Sequence, residues 1–130
     1  MHSRTALVVS AIMGFLAVAL GAFGAHGLEA TLKANGLADR WNTAAHYHLV
    51  HAVAMLALAL HAPFRVWAWR CWLFGIVLFS GSLYFLAALN LKVLGAVTPF
   101  GGLFLLAGWA ALLFGKRESG VGDSSSERNR

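Results

Sequence analysis

Three histidines, His46, His48 and His51, stand at the start of an apolar segment that continues to Leu60. Histidine changes its charge near neutral pH, and its neutral imidazole is a good ligand for zinc, copper or haem iron. An ionisable side chain is costly to bury in a segment this apolar. The cluster therefore requires an explanation, either in chemistry or in packing.

Helical geometry narrows this cluster. At about 100° per residue, His48 and His51 lie about 60° apart on one helix face, whereas His46 points about 160° away from His48. His26 ends the preceding apolar run and is predicted to lie at the same membrane level, because consecutive spans are antiparallel. The candidate metal or cofactor site is therefore His26, His48 and His51.

Three interpretations of these histidines remain open. The imidazoles could bind a transition metal or haem, or they could move protons or a solute. Alternatively, they tie the helices together through hydrogen bonds to the backbone or to a polar network. The candidates for that network are Tyr47, Asn90, Thr98 and Pro99.

The composition indicates a membrane protein. Hydrophobic residues make up 59% of the 130 residues and charged residues 12%, about half the charged share of ordinary soluble domains. The net charge of +5 comes from scattered basic residues without interleaved aromatics, which argues against nucleic acid as a partner. Cys71 is the single cysteine, so an intrachain disulfide is excluded.

Four apolar runs approach the roughly 20 residues that a membrane-spanning helix needs. The sequence predicts an all-α protein, a four-transmembrane-helix antiparallel bundle over residues 1–117. A short interfacial helix, broken at Gly36, is predicted between the first two spans. Residues 118–130 are predicted to form a disordered cytoplasmic tail. The predicted spans are about 6–23, 43–61, 67–89 and 93–114.

The fourth run contains Thr98-Pro99, which is predicted to kink the helix because proline lacks the backbone donor. Such a break could line a cavity facing the histidines.

Basic residues flank the spans asymmetrically and predict the orientation. Most of them fall on the side of both termini, which are therefore predicted to be cytoplasmic in a bacterial inner membrane. The first run is interpreted as a retained helix rather than a cleaved signal peptide, because its apolar core exceeds the usual length. Four tryptophans are predicted to form interfacial belts: Trp67, Trp69 and Trp72 on the cytoplasmic side and Trp41 opposite.

Small residues recur at four-residue spacing along the first span, as in Ser10 and Gly14. In lipid, such residues allow close helix packing. We expect them to pack within one bundle, although a homo-oligomer or contacts with other membrane proteins are also consistent with the pattern.

Groups for enzymatic catalysis are largely missing from the sequence. It contains neither a glycine-rich phosphate loop nor a serine nucleophile elbow. All five carboxylates lie outside the predicted spans, which disfavours a pump driven by a buried acid. We therefore predict that the chain is not an enzyme and has no required cofactor.

The combined motifs resemble the small membrane family DUF423, also called UPF0382, to which transmembrane protein 256 is related. The matching stretches run in order along the chain: 21–28 (GAFGAHGL), 43–52 (TAAHYHLVHA), 81–84 (GSLY) and 95–102 (GAVTPFGG).

This resemblance implies a four-helix bacterial inner-membrane protein whose biochemical role is not established. The family pattern carries over to His26, His48 and His51, whereas His46 stands where the family commonly has another polar residue. The leading expectation is a non-enzymatic structural or assembly component of the envelope. The alternatives are a metal- or haem-binding membrane protein and a small channel or transporter.

Overall fold

A computed structural model describes residues 3–115, all of which form helices and short connections. The helices are α1 (Ser3–His26), α2 (Glu29–Asn35), α3 (Ala38–Leu60), α4 (Val66–Leu89) and α5 (Thr98–Phe114), with a 3₁₀-helix (Lys92–Ala96) before α5. The predicted tail, 118–130, lies outside the described residues.

Four segments are long and apolar enough to cross a membrane: Arg4–His26, Ala38–Leu60, Val66–Leu89 and Lys92–Phe114. The predicted all-helical, four-span architecture is confirmed. The first helix is longer than predicted, since it begins at Ser3 and continues through Gly24 and Ala25 to His26. The second span begins five residues earlier than predicted, at Ala38.

The predicted kink in the fourth span is wrong. Residues Lys92–Ala96 form a 3₁₀-helix, and α5 begins at Thr98 with Pro99 in its first turn. Proline is tolerated there because the first turn of a helix has no carbonyl partner for its backbone N–H. The 17 residues of α5 reach about 25 Å, so the 3₁₀-helix supplies the remaining length of the span.

The predicted helix between the first two spans is α2. Leu32 on α2 is buried, and Gly36 ends the helix in the left-handed conformation, with φ of 65°. Asn35 donates to the backbone oxygen of Ala87 on α4 at 3.1 Å. On the exposed side, Lys33 bonds Glu29 at 2.6 Å, and this hydrogen bond holds the pKa of Glu29 below its usual value.

The two central helices are α3 and α4. Helix α1 packs along α3, and α5 packs along α4. One apolar cluster, centred on Trp69 and Met55, lies at the end where the chain begins. A second, centred on Trp41 and Leu83, lies at the opposite end, beside α2. We call this opposite end the α2 end.

Two glycines of α5 allow its close approach to α4. A Cβ at Gly101 would lie 2.2 Å from the backbone nitrogen of Phe79, and one at Gly108 would lie 2.4 Å from the ring of Trp72. Gly14 on α1, by contrast, has nothing within 4 Å of its Cβ position. The small residues therefore bring α4 and α5 together, while Gly14 does not contribute to packing among the described residues.

Candidate functional site

His51 is 5% exposed. It lies on α3, two helical turns after Ala44. Its Nδ1 is 2.8 Å from the backbone oxygen of Tyr47, and its Nε2 is 3.1 Å from the indole Nε1 of Trp109 on α5. Because an indole N–H can only donate, Nε2 must accept and Nδ1 must carry the proton. Both ring nitrogens of a neutral imidazole are therefore in hydrogen bonds.

Aromatic rings surround this imidazole. The Tyr47 ring is stacked on it with centroids 6.1 Å apart, and the rings of Trp72 and Trp109 meet it edge-on at 6.0 Å and 6.1 Å. Trp72 in turn donates to the backbone oxygen of Leu105 on α5 at 3.2 Å. His51 is thus fixed between α3, α4 and α5 by packing as well as by hydrogen bonds.

His48 is 4% exposed and faces a different neighbour. Its Nδ1 lies 3.2 Å from the hydroxyl oxygen of Tyr84 on α4. Its Nε2 is buried and has no hydrogen-bond partner among the described residues. Close by, Ser80 donates to the backbone oxygen of Ala44 at 2.8 Å.

The structure does not bring His26, His48 and His51 together as ligands. Within residues 3–115, no group of three or more His, Cys, Asp or Glu side chains could hold a metal ion. His26 is exposed at the end of α1, and the lone pair of His51 accepts the hydrogen of Trp109. These residues do not fit the predicted three-histidine site, and metal or haem binding stays a prediction.

His46 lies apart from the buried side chains of His48 and His51, as the helical geometry predicts. Its side chain is exposed on α3, and its ring meets the edge of Tyr47 with centroids 5.9 Å apart.

The residues predicted as a polar network occupy two places. Tyr47 contacts His51 through its carbonyl and its ring. Thr98 instead pairs with Ser82 of α4 at 2.8 Å. Asn90 ends α4 in the left-handed conformation, with φ of 54°, and Pro99 begins α5. Asn90, Thr98 and Pro99 thus shape the hairpin between α4 and α5, away from His51.

The predicted interfacial tryptophan belts are mostly wrong. Trp67 is 71% exposed, with the guanidinium of Arg70 5.7 Å from its ring centre. Trp41, Trp69 and Trp72 are buried, because their indole N–H groups find acceptors inside the bundle. Trp41 donates to the backbone oxygen of Leu20 at 2.9 Å.

Sequence reasoning missed four residues that complete the buried contacts. One signal was available for each, since a polar or amphipathic side chain in the middle of a span needs an internal partner. Trp69 donates to the hydroxyl of Ser10 at 2.9 Å, and that hydroxyl donates to the backbone oxygen of Ala6 at 2.7 Å. The four missed residues are Ser10, Ser80, Tyr84 and Trp109.

The chain is similar to curated membrane proteins over most of its length. It is 46% identical over 121 residues to the UPF0382 inner membrane protein YgdD of Escherichia coli strain K12, which covers 88% of this chain and 91% of the relative. It is 44% identical over 118 residues to a UPF0382 membrane protein of Haemophilus influenzae, covering 87% and 94%. No solved structure matches the chain.

A UPF0382 membrane protein of Staphylococcus saprophyticus is 41% identical over 114 residues, covering 84% of this chain and 93% of the relative. The family described as "Protein of unknown function (DUF423)" matches residues 20–102. The predicted resemblance is confirmed. With its four apolar spans, the chain is a multi-pass membrane protein that belongs to the DUF423 family.

Proposed function

We propose that the protein is a non-enzymatic structural component of the bacterial inner membrane, which supports assembly or integrity of the envelope. The observation that carries this proposal is that four of the five tryptophans each donate a hydrogen bond to another helix. Two of these bonds attach α1, and the other two attach α5.

Lipid explains why such bonds matter. Helices in a bilayer gain little hydrophobic drive toward one another, so close packing and polar contacts between helices hold them together. The buried serines, His51 and the indoles satisfy each other or the backbone. These groups therefore have fixed structural partners and few spare donors or acceptors for a substrate. His48 and His51 serve to hold α3 against α4 and α5.

Complementation with packing-conserving variants tests this function. Cells that lack the protein would express His51→Gln, Tyr84→Phe or the unchanged protein. The abundance of each variant in the membrane would be measured together with the uptake of a dye added outside the cells. A structural role predicts that dye exclusion follows abundance, so any variant present at the normal level restores it. A variant at normal abundance that fails to restore exclusion would show that the side chain's chemistry is needed.

We also propose that both termini lie in the cytoplasm. Arg4, Arg65 and Arg70 lie at the end of the bundle where the chain begins, and basic residues in short flanking segments favour the cytoplasmic side. A green fluorescent protein fused after Arg130 would fluoresce in this topology. An alkaline phosphatase fused there would be inactive, and phosphatase activity would reverse the assignment.

The metal, haem and channel alternatives have separate tests. Elemental analysis and an absorption spectrum of the detergent-purified chain are expected to show no stoichiometric metal and no Soret band. One metal or haem per chain, lost in both His48→Ala and His51→Ala, would replace the structural proposal with a binding function. Protein-dependent solute flux into proteoliposomes, abolished by His51→Ala, would replace it with transport.

A further inference from the structure

A cavity of about 600 Å³ opens at the α2 end of the bundle, where α3 begins and the hairpin leads into α5. It is not the cavity predicted between the histidines and the fourth span. Residues from α3, α4, the 3₁₀-helix and α5 line it, together with Leu37. The lining residues are Leu37, Arg40, Phe79, Leu83, Leu86, Lys92, Gly95, Thr98 and Pro99.

Two cations stand at the rim of this cavity. Arg40 is the third residue of α3, and Lys92 begins the 3₁₀-helix, so both lie at the ends of membrane spans. Both side chains are exposed. Within residues 3–115, Lys33 forms an ion pair with Glu29, whereas Arg40 and Lys92 form none with a carboxylate. The rim therefore carries positive charge at the level of lipid headgroups.

The wall of the cavity is apolar and runs into the membrane. Leu86, Leu83 and Phe79 follow one another down α4, and Phe79 is ten residues from the end of the helix at Leu89. Ten helical residues cover about 15 Å, which is about half the hydrocarbon thickness of a bilayer. A cationic rim above an apolar wall of this depth matches an amphiphile within one leaflet.

We propose that this cavity binds one anionic phospholipid. The phosphate lies between Arg40 and Lys92, and an acyl chain lies along Leu86, Leu83 and Phe79. A free phosphate ion would use the rim but would gain nothing from the apolar wall. The site does not depend on the structural function proposed above.

Native mass spectrometry of the delipidated full-length protein tests this site. Dioleoyl phosphatidylglycerol and dioleoyl phosphatidylcholine are titrated separately, so the headgroup differs while the chains are the same. We expect one phosphatidylglycerol per protein, bound at least about tenfold more tightly than phosphatidylcholine. Each basic residue near a membrane surface attracts anionic lipid through its charge. Arg40→Gln or Lys92→Gln is therefore expected to weaken the binding of phosphatidylglycerol about fivefold.

Matched variants separate a site from general surface charge. Lys33→Gln removes one positive charge at the same end without touching the cavity, and Lys92→Arg keeps the charge at the rim. Both are expected to bind phosphatidylglycerol normally. Gly95→Leu keeps both cations but fills the cavity. It is expected to lose the bound lipid while keeping the elution volume and helical circular dichroism of the folded protein.

Three results would overturn the proposal. Equal loss of binding in Lys33→Gln and Lys92→Gln would indicate general electrostatic attraction. Full retention in a folded Gly95→Leu protein would place the lipid outside the cavity. Complete competition by millimolar inorganic phosphate would indicate a phosphate site that ignores the acyl chain.

Discussion

Trp109 and His51 lie 58 residues apart in the chain, yet the indole nitrogen of one is 3.1 Å from Nε2 of the other. This bond joins α5 to α3 across the edge of α4, whose Trp72 contacts both rings. It also assigns the proton of the neutral imidazole to Nδ1, because the indole can only donate. The hydrogen bond therefore links α3 to α5 through a neutral imidazole.

Gly101→Ala is expected to lower the free energy of unfolding by about 1–3 kcal/mol. The new Cβ would lie 2.2 Å from the backbone nitrogen of Phe79, and a helix backbone cannot move aside as a side chain can. Gly14→Ala is the matched control, since its Cβ position is open. Unfolding by dodecyl sulfate in mixed micelles measures both. Equal effects would show that α4 and α5 do not approach this closely.

The two tyrosines of the chain provide a second comparison. Tyr84→Phe removes the hydrogen-bond partner of buried His48, whose Nε2 already has none, and is expected to cost about 1–3 kcal/mol of stability. Tyr47→Phe keeps the carbonyl and the ring that contact His51, so its effect should stay within about 0.5 kcal/mol. The same micelle titration decides. A neutral Tyr84→Phe would mean that the hydroxyl does not satisfy His48.

The tryptophans near the start of α4 differ in environment and should differ in effect. Trp69→Phe removes the donor to Ser10 and leaves a gap in a buried cluster, with an expected loss of about 1–3 kcal/mol. Trp67→Phe alters a side chain that is 71% exposed and should be nearly neutral. Thermal unfolding followed by circular dichroism compares them. A loss for Trp69→Phe no larger than that for Trp67→Phe would show that the buried contact of Trp69 with Ser10 does not stabilise the bundle.

Hydropathy and helical rotation predict much of this fold. The four spans, the short helix ending at Gly36 and the exclusion of His46 all depend on local pattern, and each has a local physical cause. Pro99 shows where local reasoning fails, because whether proline kinks a helix or begins one depends on where the preceding hairpin ends.

The polar contacts between helices could not be predicted in the same way. Trp69 and Trp72 have the residue type and the position expected of an interfacial belt. Their burial depends on hydrogen-bond acceptors at Ser10 and Leu105, which only the packed bundle brings near. His51 could be recognised as needing a partner. Its partner, Trp109, lies on α5. No local sequence pattern determines how α5 is rotated about its own axis relative to α3 and α4.

A double-mutant cycle between His51 and Trp109 tests the structural account most directly. His51→Phe, Trp109→Phe and the double variant would each be unfolded by dodecyl sulfate in mixed micelles. The account predicts a coupling free energy of about 0.6–1.7 kcal/mol, because double-mutant cycles of hydrogen bonds between membrane helices average about 0.6 kcal/mol and reach about 1.7 kcal/mol. Additive effects, with coupling near zero, would show that this pair does not fasten α3 to α5 and would contradict the account.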